Sequence, residues 1–85
     1  MSLEVVWTKR ASKDFENIND YILGDFGKSI SEKFINRVYS AILYLEGFPQ
    51  LGKFEFDNVY SLVIAKQTTM FYKLTDNHMS FLNYL

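Results

Sequence analysis

His78 is the only imidazole in this 85-residue chain, and cysteine is absent. A lone imidazole cannot assemble a multi-histidine metal site, and no HExxH spacing accompanies it. Beside Asp76-Asn77 it reads as a turn residue facing solvent. Without cysteine there is no thiolate nucleophile, no thiolate metal ligand and no disulfide, a composition that fits a reducing cytoplasm. Glu16 and Asp20 stand one helical turn apart. Two carboxylates at that spacing divide acid and base roles only where a pocket separates their pKa values. On an amphipathic helix they fall on the polar side, and a solvated face is the simpler reading. Gly24 and Gly27 lie between two helical patterns, not after a strand. They therefore serve turn geometry and form no phosphate loop. Neither a metal nor a cofactor is expected.

The remaining chemistry is cationic. Lys9, Arg10 and Lys13 cluster near the start and are followed by Asp14, Glu16, Asp20 and Asp25. Such side chains make charge-assisted hydrogen bonds to phosphates or to an acidic partner, or simply solvate a first helical turn. Lys66 and Lys73 fall among Tyr60, Phe71, Tyr72 and Tyr84. Lysines beside aromatics can form a platform for stacked bases and their phosphates. The same residues equally describe aromatics packing a sheet while lysines guard its solvent face. Nine basic against ten acidic residues leave a net charge of −1. A protein that works by gripping phosphates is usually more basic.

The elements that must hold these residues follow from periodicity. Leu3, Val5 and Trp7 alternate with Glu4, Val6 and Thr8, the two-residue period of a half-buried strand. Thr8 then suits the N-cap of a helix starting near Lys9. Phe15, Ile18, Ile22 and Phe26 mark its apolar stripe, and Gly24 to Lys28 breaks it. Ser29 with Glu32 predicts a capping box for a second helix, whose stripe is Ile30, Phe34, Val38, Ala41, Ile42 and Leu45. The short connection makes the two helices antiparallel. Gly47 and Pro49 end the second. From Lys53 onward the period becomes two. A short strand is expected at Lys53–Phe56, then strands around Tyr60–Ala65 and Met70–Thr75. Asp76-Asn77 turns the chain into a last strand from His78 to Leu85.

These expectations sum to one α+β domain over residues 1–85: a strand, an antiparallel helix pair, and an antiparallel meander, with the helices lying on an antiparallel sheet. No apolar run approaches the roughly 18 residues of a membrane span. Met1 to Trp7 is too short and acidic for a signal peptide and reads as strand.

The order of these segments resembles the ParE/RelE superfamily of toxins from type II toxin–antitoxin systems. Val6-Trp7-Thr8-Lys9-Arg10-Ala11 is similar to that family's first strand and its exit into helix. Asp14-Phe15 with Ile18, Tyr21 and Ile22 resembles its first helix, and Phe48-Pro49-Gln50-Leu51-Gly52 its Pro–x–x–Gly punctuation. Val59 to Val63 and Met70 to Leu74 look like its central strands. The resemblance covers nearly the whole chain. It implies a cytoplasmic toxin neutralised by a cognate antitoxin, and the long helical hairpin looks closer to ParE-like members, which inhibit DNA gyrase. RelE-like members instead cut messenger RNA on the ribosome.

Two departures bear on that choice. Family members often carry arginine where this chain has Ser61, and they continue into a basic, aromatic or histidine-containing tail where this sequence stops at Leu85. The expectation is protein binding through Lys9, Arg10, Lys13, Tyr60, Phe81 and Tyr84. The alternatives are a nuclease using Lys66, Lys73 and Tyr72 together with Lys9 and Arg10, or a shortened, inactive toxin-fold protein. The apolar terminal strand Phe81 to Leu85 invites cover by an antitoxin segment or by a second copy of the chain, as a homodimer.

Overall fold

A computed structural model describes residues 3–85. Met1 and Ser2, expected to lead into the first strand, lie outside the described residues. The order is β1 (Glu4–Trp7), α1 (Lys9–Phe26), α2 (Lys28–Gly47), β2 (Lys53–Phe56), β3 (Val59–Ala65), β4 (Thr68–Leu74) and β5 (His78–Tyr84).

Thr8 does what its type suggests. Its backbone is extended, and its Oγ1 accepts from the Ala11 N–H at 3.1 Å, which satisfies a donor left free at the helix start. The same hydroxyl donates to the Phe81 carbonyl at 2.7 Å, so the entry to α1 is tied to β5. Gly24 stays within α1, and the break comes at Gly27 alone, at φ 89°. That conformation costs an L-residue and suits glycine. The expected capping box is not formed. α2 begins at Lys28 with Gly27 as its N-cap and no side-chain cap, so Ser29 already lies in the first turn. A one-residue hinge leaves no room for the extended backbone that a serine cap needs.

Ala11 from α1 and Phe34, Val38, Ile42 and Leu45 from α2 are buried against Ile64, Met70, Tyr72, Met79, Phe81 and Tyr84 from the sheet. Each such large side chain contributes roughly 1.5–3 kcal/mol before ordering entropy is counted. The helices are joined directly by Phe15 stacked on Phe34, centroids 5.6 Å apart, and by Ser31 Oγ to Asn19 Oδ1 at 2.6 Å.

The sheet order is β1-β5-β4-β3-β2. Strands β2 to β5 form the expected antiparallel meander, including the short strand at Lys53–Phe56. β1, however, pairs parallel to β5, so the sheet is mixed and not wholly antiparallel. A two-residue period encodes which face is buried and carries no strand direction. The direction follows from the connections: the chain enters β2 running opposite to β1, and three antiparallel reversals from β2 to β5 leave β5 parallel to β1.

Candidate functional site

Two surfaces compete for a functional role, and the lengths of the elements create the first. Helices of 18 and 20 residues run about 27–30 Å, and seven-residue strands only about 23 Å. The hairpin tip therefore overhangs the sheet end that carries the β3–β4 turn and Leu85. Beneath it lies a groove enclosing about 850 Å³. Ile18, Tyr21, Ile22 and Phe26 of α1 and Ile30 and Phe34 of α2 give it apolar walls, and Ala65 to Thr68 and Leu85 line it from the sheet. Tyr21 and Phe26 are 61% and 60% exposed, so the apolar wall is open to a partner. Lys33, Arg37 and Lys66 reach the same groove, and no carboxylate side chain lines it. None of the three joins an ion pair among the described residues. In a chain of net charge −1, every charged side chain lining the groove is positive.

The second surface is the sheet face away from the helices, where Glu55, Lys73 and His78 each already have a partner. Ser61 Oγ donates to Glu55 at 2.6 Å, Lys73 lies 3.4 Å from Asp57, and His78 Nε2 lies 3.4 Å from Glu4. These pairs are exposed and contribute little to stability. They hold the polar groups in separate couples spread across the sheet, and no acid–base cluster converges. Among the described residues no group of His, Asp or Glu has metal-binding geometry.

The residues singled out from sequence are scattered between these surfaces. Lys66 sits on the groove and Lys73 on the opposite face. Tyr72, a catalytic candidate, is instead a core residue at 0% exposure. Its hydroxyl donates to the Pro49 carbonyl at 2.9 Å and accepts from the Gly52 N–H at 3.0 Å, clamping the loop before β2. Burial raises its pKa most, and the Gly52 hydrogen bond offsets part of the shift. A Cβ on Gly52 would meet Ser61 O and the Tyr72 hydroxyl at 2.6 Å, so this approach requires glycine.

Phe81 and Tyr84, expected at a binding surface, are likewise in the core. Trp7 packs on both, edge-on to Phe81 at 5.2 Å and stacked on Tyr84 at 5.9 Å. Phe81 follows Met79 onto the helix-covered face by alternation, and the register shift that leaves Leu82 unpaired brings Tyr84 onto it as well. Tyr60 is half-buried, stacked on Tyr72 at 5.5 Å. Lys9, Arg10 and Lys13 lie on or beside the exposed first turn of α1, where Arg10 sits 3.8 Å from Asp14. Asp14 also accepts from the Tyr84 N–H at 3.2 Å. Glu16 and Asp20 are exposed, as a solvated face requires.

Sequence reasoning missed Lys33 and Arg37. Their signal was available: an i, i+4 cationic pair flanking Ile30 and Phe34 on one helix.

Residues 5–79 match the family described as the ParE toxin of the type II toxin–antitoxin system parDE. No curated protein matches the sequence. Among solved structures, the chromosomal ParDE system from P. aeruginosa is similar, with a TM-score of 0.80 at 16% identity over 98% of this chain and 94% of that one. The YoeB dimer from Staphylococcus aureus aligns with a TM-score of 0.69 at 16% identity, covering 98% and 94%. The E. coli DinJ–YafQ toxin–antitoxin complex aligns at 0.67 and 12% identity, covering 99% and 91%. At these identities the structural likeness speaks for the fold.

Proposed function

Because the chain belongs to the ParE toxin family of type II toxin–antitoxin systems, we propose that it is a toxin acting by protein binding, with DNA gyrase as its target and a cognate antitoxin as its inhibitor. The observation that carries this reading is the overhang groove. An apolar trough lined by three cations that join no ion pair among the described residues, and by no acidic side chain, suits an amphipathic segment that buries an apolar stripe and presents acids at the rim. An antitoxin segment of that character would seat there. The engagement of Ser61, Lys73 and His78 with separate carboxylates further favours binding over acid–base catalysis.

The test is induced expression with and without the antitoxin gene, followed by a gyrase supercoiling assay on the purified chain. Growth arrest relieved by the antitoxin, inhibited supercoiling and intact transcripts are the expected results. Ribosome-dependent transcript cleavage that disappears in Lys66→Ala or Lys73→Ala would transfer the protein to the RelE-like alternative. Soluble expression with no growth defect would make it an inactive relative.

A further inference from the structure

We propose that β2 is a self-association edge, at which a second copy of the chain adds its own β2 antiparallel, with Phe54 facing Phe54 of the partner subunit. β2 is the outermost strand of the sheet, and all four of its residues are exposed. Its outward backbone donors and acceptors have no neighbouring strand among the described residues. Monomeric proteins normally cover such an edge, because it is a template for another strand. Here the helical layer leans the other way: α1 packs on β5, and α2 reaches β3. Phe54 and Phe56 are 56% and 66% exposed, and Leu51 and Val63 add exposed apolar surface at the same rim. Apolar side chains gathered along one unpaired edge mark an association site.

The charge order identifies the occupant. Lys53 pairs with Ser61 in the sheet register, and Glu55 takes the Ser61 hydroxyl at 2.6 Å, so both lie on the open face. Phe54 lies on the other face, its ring edge-on to Tyr60 at 5.5 Å. A two-fold axis centred on Phe54 places Lys53 opposite Glu55 of the partner subunit, and does so twice by symmetry. Centring on Glu55 instead would oppose two carboxylates, and like charges directly opposite are destabilising. The Lys–Phe–Glu run is thus complementary to its own antiparallel copy in one register. Lys53 has no ion-pair partner among the described residues, so it is available for the exchange. The register shift between Phe54 and Phe56 keeps the paired stretch short. The dimer therefore dissociates on dilution.

Sedimentation velocity on the purified chain, run over a hundredfold range of concentration, tests this directly. A monomer–dimer equilibrium is expected. Lys53→Glu or Glu55→Lys alone should weaken association at least tenfold, and the double exchange Lys53→Glu/Glu55→Lys should restore it. Far-UV circular dichroism confirms that each exposed-site variant is folded. Because the chain has no cysteine, oxidised Phe54→Cys should give a covalent dimer and Phe56→Cys should not. A monomer at every concentration overturns the proposal, as does a dimer insensitive to either single reversal or cross-linked at position 56. Protection of β2 amides from exchange only on adding the antitoxin assigns the edge to that partner and equally overturns it.

Discussion

Tyr72 and Tyr84 both bring a phenol into the core, and the two hydroxyls are treated differently. That of Tyr72 bridges Pro49 and Gly52, whereas that of Tyr84 is buried with no hydrogen-bond partner among the described residues. Removing a hydroxyl whose partners stay buried costs their desolvation, whereas removing an orphan costs nothing of the kind. Tyr72→Phe should therefore lose about 1–3 kcal/mol, and Tyr84→Phe should be neutral or stabilising by up to about 1 kcal/mol, read from denaturant midpoints. Burial also raises both pKa values above the usual tyrosine value of 10.0, and Tyr39 adds to the effect on Tyr84. Below about pH 10 both phenols stay protonated in either state, and their contribution is fully present. Above it the unfolded chain releases protons that the folded chain retains, so stability falls as pH rises. Alkaline titration of the unfolding midpoint should show that decline, shallower in Tyr84→Phe than in the parent.

The helix starts show which local signals tertiary context obeyed. Thr8 caps α1 and also holds Phe81, so Thr8→Ala should cost about 1–2 kcal/mol. Ser29 reads as a cap in the sequence but lies inside the first turn of α2. Ser29→Ala should then change stability by less than about 0.5 kcal/mol, measured in the same denaturant series. Gly27 makes the hinge instead, at φ 89°, and a Cβ there would meet nothing within 4 Å. Gly27→Ala should destabilise through backbone strain alone, by about 1–3 kcal/mol, with no clash to relieve.

At the scale of the whole molecule, the mismatch between helix and strand length makes the groove, and its cations give the groove a sign. Charge reversal of Lys33 and Arg37 together should weaken antitoxin binding by at least about tenfold and flatten its dependence on salt. Titration calorimetry at two ionic strengths checks both effects, while an unchanged unfolding midpoint keeps the result separate from folding. An affinity unmoved by the reversal would place the antitoxin elsewhere on the toxin.

The number, type and order of elements were legible because apolar spacing and caps act locally: Thr8, the stripe from Phe15 to Ile22, and the alternation from Tyr60 onward each report their own neighbourhood. The family resemblance was legible for the same reason, since it rests on the order of those segments. The site was much less legible. Tyr72, Phe81 and Tyr84 have surface-capable side chains, and only the register of β4 and β5 turns them toward the helices. Lys66 lies far in sequence from the Lys33 and Arg37 pair and meets it because a hairpin overhangs a shorter sheet. The parallel pairing of β1 likewise had no local signature. The sequence by itself determined what each segment is, through interactions between near neighbours. The tertiary structure decided which faces meet and which groups are left without partners, because those depend on relative length, direction and register.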